Sequence, residues 1–165
     1  MEMPHATEER EVLLGFLQHQ RKLVVWKVRG LDDDRARLVS TSSGLTIHGI
    51  VRHLTDVERS WVRRWFAGQE GLPVEGRTPG WVGGLDARPD DQIEVLVGDY
   101  LEELGLGDQV VSTHTLDDLG ANVPKNLRWV LHHLIEETAR HLGHLDLLCE
   151  LADGRTGRQP DEALG

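Results

Sequence analysis

Three side chains from two distant stretches of the chain, His53 on one and Glu137 and His141 on the other, have the types to share one metal ion. Glu137 and His141 belong to "HHLIEETARHLGHLDLLCE", residues 132–150, which reads as one long helix. At about 100° per residue, with His141 as origin, Leu127, Val130, Leu134, Leu145 and Leu148 all fall within about 40°. His141 therefore stands in the apolar stripe, and Glu137 lies at about −40°, one turn earlier. His144 and His133 follow on the same flank at about −60° and −80°, while His132 and Glu136 fall on the far side and are expected in solvent. A Glu and a His four residues apart on an inward face are spaced to ligate together.

A third donor comes from "LTIHGIVRHLTDVERSW", whose stripe is Ile47, Ile50, Leu54, Val57 and Trp61, with His53 at its edge. His48, in the first turn, is left outside the site. Two neutral imidazoles and one carboxylate suit Zn²⁺ or another divalent first-row metal such as Ni²⁺, with coordination positions left for water or substrate. A plain hydrogen bond between Glu137 and His141 is the competing explanation, and spacing alone leaves both open. An uncompensated buried carboxylate costs on the order of several kcal/mol, so an inward Glu137 requires a partner of some kind.

These residues must be positioned by helices. The 165 residues suit a single domain spanning 1–165, with 153–165 a loose tail. The first helical pattern runs from about Thr7 to Val28 and stops at Gly30; "LDDDRARLV" adds a short helix. The second starts after an N-cap at Thr46 and continues through Ala67 to Gly68. The third starts near Asp90 or Asp91, with its end left open by "LGLGDQVVSTHTLDDL". The fourth runs from about Asn126 to Ala152 and stops at Gly154. No strand pattern is convincing, so the expected fold is all-α, a four-helix bundle. The segment at 68–89 is dense in Gly and Pro, and a connection that long in a compact domain is often functional. Trp81 within it is a candidate lid or subunit anchor.

The remaining composition narrows the function. A net charge of −10 disfavours nucleic acid, whose binding rests on Lys and Arg. No apolar run approaches 18 residues, so no membrane partner is expected. One cysteine, Cys149, excludes an internal disulfide and fits a cytoplasmic location; its stripe position reads as a small buried hydrophobe. Trp61, Trp65 and Trp129 read as core or interface aromatics.

"GLTIHGIVRHLTDVERSWVRRWFAG" resembles the second helix of DinB-like proteins, with an inward His followed by Leu and by an acidic residue five positions on. "LRWVLHHLIEETARHLGHLDLLCELADGRTG" resembles their last helix, in the Glu-x₃-His form found in mycothiol-dependent maleylpyruvate isomerases rather than the His-x₃-His form. The resemblance spans roughly residues 7–155. It implies a DinB-like four-helix bundle holding one divalent metal, Zn or Ni, on His53, Glu137 and His141. It also implies a low-molecular-weight thiol cofactor such as mycothiol, a small-molecule substrate, S-transferase or isomerase chemistry, and a homodimer. His144 and His133 are then candidate second-layer donors. A metal-dependent hydrolase and a non-catalytic metal or ligand-binding protein are the alternatives.

Overall fold

A computed structural model describes residues 7–73 and 85–156, and its elements are helices α1 (Glu9–Val28), α2 (Asp33–Arg37), α3 (Ile47–Glu58), α4 (Ile93–Ser112) and α5 (Leu127–Asp153). A π-helical segment, Arg59–Phe66, continues α3 without a break. The caps are chemical. The Thr46 hydroxyl accepts from the Gly49 amide at 3.1 Å, and the Asn126 side chain accepts from the Trp129 amide at 3.0 Å, each satisfying an orphan donor of a first turn. Gly154 ends α5 at φ 80°, a left-handed value that costs glycine little.

Cross-links fix the helix directions. Glu9 pairs with Arg128 and Lys27 with Asp146, so α1 and α5 run parallel. Arg52 pairs with Asp91 and Arg59 with Glu103, so α3 and α4 are parallel to each other. His53 meets Glu137 while Trp61 meets Trp129, so α3 opposes α5. The bundle is up, down, down, up. Because α3 and α4 point the same way, the chain between them must return the length of the bundle. That requirement explains the long Gly- and Pro-rich connection, of which Trp81 lies outside the described residues.

The core is split by a polar layer. One apolar cluster includes Val24, Val28, Ile47, Ile50, Leu54, Tyr100, Leu145 and Cys149. The other includes Leu17, Val57, Val62, Phe66, Leu127, Val130 and Leu134. On three of the long helices the buried residues between these two sets are polar: His19 and Arg21 on α1, Thr55 and Asp56 on α3, Thr138 and His141 on α5; Glu58 and Glu103 sit one residue outside that boundary on α3 and α4. The triad belongs to this layer.

The structure refines the sequence reading at three places. The segment expected to be α-helical to Ala67 widens to a π-helix at Arg59. Arg59 and Arg63 both reach the Glu103 carboxylate, at 2.9 and 3.0 Å, and the Ala121 and Asn122 amides cap the Phe66 and Trp65 carbonyls at 2.8 Å. Those tertiary bonds are not visible in a helical period. The third helix begins at Ile93 rather than at Asp90 or Asp91, and the β-branched pair Val110–Val111 remains helical. His48 is fully buried, because α2 folds over the first turn of α3 and Asp33 Oδ1 sits 3.0 Å from its Nε2. No described helix is long and apolar enough to cross a membrane.

Candidate metal centre

His53 reaches the α3–α5 interface from the stripe edge, three residues after Ile50 and four before Val57, both of which are buried. Glu137 and His141 approach it from α5, one turn apart on the face that also buries Leu134 and Leu145. The three side chains meet. His53 Nε2 lies 3.1 Å from Glu137 Oε1, and His141 Nε2 lies 3.3 Å from the same oxygen. The two imidazole rings stand edge to face with centroids 4.6 Å apart. One donor atom from each residue falls within 4.8 Å of the others.

Both imidazoles donate to one carboxylate oxygen here, which requires the Nε2–H tautomer on each. These hydrogen bonds, from His141 first and His53 second, hold the Glu137 carboxyl well below the usual carboxylate range, against the opposing effect of burial. Glu137 is thus ionised and acceptor-only at neutral pH. Nδ1 of His141 is buried and has no hydrogen-bond partner among the described residues.

The two flanking histidines differ in setting. His144 packs edge-on to His141, with ring centroids 5.5 Å apart, and burial is the main cause that pushes its pKa down. His133 instead joins an aromatic cluster: its ring lies 4.4 Å from that of Trp61 and stacks on Trp129 at 5.2 Å. His132 and Glu136 are exposed, as their far-side positions require. Cys149 is fully buried, and burial pushes its thiol up to about 11, the behaviour of an inert core residue rather than a nucleophile.

Sequence reasoning missed the second buried charge cluster of the polar layer. Arg21 and Glu58 are almost wholly buried and joined by two hydrogen bonds, with Asp108 on the remaining guanidinium nitrogen at 2.8 Å. The available signal was an arginine in the α1 stripe, four residues beyond Leu17 and three before Val24. A cavity of about 640 Å³ opens between α1 and α4, lined by Val25, Trp26, Leu101 and Leu104. It contains no triad residue, so this cavity and the donor set lie at different places.

No curated protein and no solved structure shows significant similarity to the chain. The model of the mycothiol S-transferase family, in contrast, matches residues 12–154, a span that holds all three triad residues and every long helix but the first turn of α1. The chain therefore belongs to the mycothiol S-transferase family, a branch of the DinB-like superfamily.

Proposed function

We propose that His53, Glu137 and His141 hold one divalent metal ion, Zn²⁺ or Ni²⁺, and that the protein joins a low-molecular-weight thiol of the mycothiol type to a small electrophile. The thiol gives up its proton and its sulfur forms a bond to the electrophilic carbon, which expels a leaving group or takes up the electron pair into a polarised double bond. The observation that carries this reading is the convergence of both imidazole Nε2 atoms on one oxygen of Glu137, at 3.1 and 3.3 Å. Two ligand atoms about 2.0–2.1 Å from a tetrahedral ion stand about 3.3–3.4 Å apart, so these two separations are close to those of a shared coordination sphere, and the two histidine donors lie within 4.8 Å of each other. The donor set fits as well: it is borderline in softness, and carries one negative charge against the two of the ion.

A cation bound there supplies the positive charge that favours the deprotonated form of a thiol at neutral pH. The chain's own residues do the rest. Glu137 is ionised before any cation binds, held so by the His141 and His53 hydrogen bonds, and balances charge in a half-buried setting. Thr138 and the apolar side chains on either side of the polar layer exclude water from the inner face of the site. Among the described residues three protein donors converge, which makes the set an open one of the kind a site that accepts a cofactor sulfur requires.

Elemental analysis of purified protein tests the ion: about one equivalent per chain is expected, lost in the His53→Ala, His141→Ala double variant and retained in His132→Ala. Addition of a small thiol to Co²⁺-substituted protein tests the chemistry, with a sulfur-to-metal charge-transfer band as the expected result. Stoichiometric metal in the double variant would remove the proposed site. Metal binding with no thiol band, accompanied by metal-dependent ester or amide hydrolysis, would replace transfer with hydrolysis.

A further inference from the structure

The triad is one end of a longer seam. On α5 the residues Trp129, His133, Glu137 and His141 follow at intervals of four, and across from them run His53, Val57, Trp61 and Trp65, also at intervals of four. Rows of this kind pack ridge against ridge, and here the two helices are antiparallel. His53 therefore meets Glu137 and His141 at one end, while Trp61 meets His133 and Trp129 further along. Trp65 closes on Trp61 with ring centroids 4.5 Å apart. The nearest rung, His133, is one turn from Glu137, an axial step of about 6 Å.

Exposure rises along the seam. The His141, Glu137 and His133 side chains are 8, 17 and 23% exposed, and Trp129 as a whole residue is 37% exposed, as is Trp65. The outer rungs Trp65 and Trp129 thus stand partly in solvent, with Lys125 Nζ 4.9 Å over the Trp129 ring, at the far end of a row of side chains that leads to the triad. Large apolar rings left open beside a donor cluster are the usual furnishing of a small-molecule site: apolar walls with a few convergent polar groups. The π-helical segment that carries Trp61 and Trp65 is a rare form that is frequently found at functional sites.

The geometry points to Trp61, Trp65, Trp129 and His133 as the wall that recognises a planar aromatic ring on the electrophile delivered to the triad. Its catalytic use rests on the transferase reading above; the ring-binding itself does not. Indoles and an imidazole that already stack and meet edge to face can add one more ring in the same offset geometries. A saturated ring of similar volume has no π-face and cannot follow.

Calorimetric titration of the purified full chain with nitrobenzene, and with nitrocyclohexane as its saturated counterpart, tests the site without requiring turnover. Nitrobenzene should bind saturably and more tightly than nitrocyclohexane, and shift the Trp129 indole and His133 imidazole resonances. Trp129→Leu should weaken it about three- to tenfold, the worth of one aromatic pair. Trp129→Phe should restore part of that loss, and Trp26→Leu, in the α1–α4 cavity, should change nothing. Absent or non-saturable binding, equal binding of nitrocyclohexane, or an equal loss in Trp26→Leu would overturn the proposal. A dimer in sedimentation that Trp129→Leu dissociates would also overturn it, by assigning the rings to a second copy. Ring binding that persists where thiol coordination fails upholds the aromatic site and sinks only the transferase reading; thiol coordination without ring binding does the reverse.

Discussion

Arg21 on α1 holds Glu58 on α3 through two parallel hydrogen bonds, Nε to Oε1 at 2.7 Å and Nη2 to Oε2 at 2.6 Å, with both side chains at most 2% exposed. Burial favours loss of the arginine's proton, but the Glu58 carboxylate outweighs it and holds the guanidinium more firmly charged than usual. Removing one partner leaves the other charged and buried, so Arg21→Met should destabilise by about 3–5 kcal/mol. For a chain of this size that lowers Tm by about 6–20 °C. Arg21→Met combined with Glu58→Leu should recover most of the loss, because an apolar pair of similar volume avoids the desolvation cost. Thermal melts of the parent and three variants decide it. A double variant no better than the singles would mean that the layer needs the charges themselves.

Gly49 sits where α3 presses on the returning chain. A Cβ built on it would come 2.0 Å from the Leu85 carbonyl oxygen, an atom already bonded to the Thr46 amide at 2.8 Å and its hydroxyl at 2.9 Å. Alanine is the better helix former by about 1 kcal/mol. The backbone clash should reverse that sign, and Gly49→Ala is expected to lose about 1–3 kcal/mol, the range for overpacking. Urea denaturation should show a lower midpoint at unchanged slope; a midpoint at or above the parent's would show that residue 85 yields freely.

Asp33 ties three helices together, accepting from the Ile93 amide at 2.9 Å and lying 3.0 Å from His48 Nε2. Burial pushes its pKa up, but the Ile93 amide and His48 outweigh it, so the carboxyl titrates below its ordinary value. A depressed folded value means a contribution that is complete above the unfolded pKa of about 3.9. It is lost as pH falls through the lower folded value. Asp33→Asn should therefore lower Tm at pH 7, and the gap to the parent should close below about pH 4. A gap that stays constant from pH 7 to pH 3 would show that the carboxylate's charge plays no part.

The bundle was legible because its determinants are local. Thr46, Asn126, Gly68 and Gly154 mark helix ends by their own chemistry, and the α5 stripe follows from its period. The candidate site was legible for a related reason: Glu137 and His141 share a helix, so their common face is fixed by spacing alone. His53 needed more: its stripe-edge position made it a candidate third donor without saying which neighbour it meets, and the resemblance to DinB-like proteins pointed to the same triad. The polar layer was not legible. Arg21 finds Glu58 only because the fold sets the two side chains facing each other from α1 and α3, and the π-helix at Arg59 is held by contacts with Glu103 and residues 121–122. His48 was rightly left outside the site, but its burial was not legible, because α2 folding back is what encloses it.

Glu137 offers the sharpest separation between holding a metal and holding the fold. Glu137→Gln keeps the size and the helix propensity but removes the charge. In the metal-free protein the amide oxygen still accepts from an imidazole, so stability should fall by only about 1 kcal/mol, the difference between a charged and a neutral acceptor. Metal affinity should fall much further, beyond the roughly 10–100-fold that loss of an outer-layer partner costs, because a ligand's negative charge is gone. Chelator competition reads the affinity, and a melt of the metal-free variant reads the fold. In the parent, affinity should also decline as pH drops from 7 to 5, since each imidazole must shed its proton to ligate. An affinity flat across that range would mean that histidines are not the ligands. An unchanged affinity in Glu137→Gln would leave the carboxylate as a hydrogen-bond acceptor only, the explanation that its spacing with His141 had always allowed.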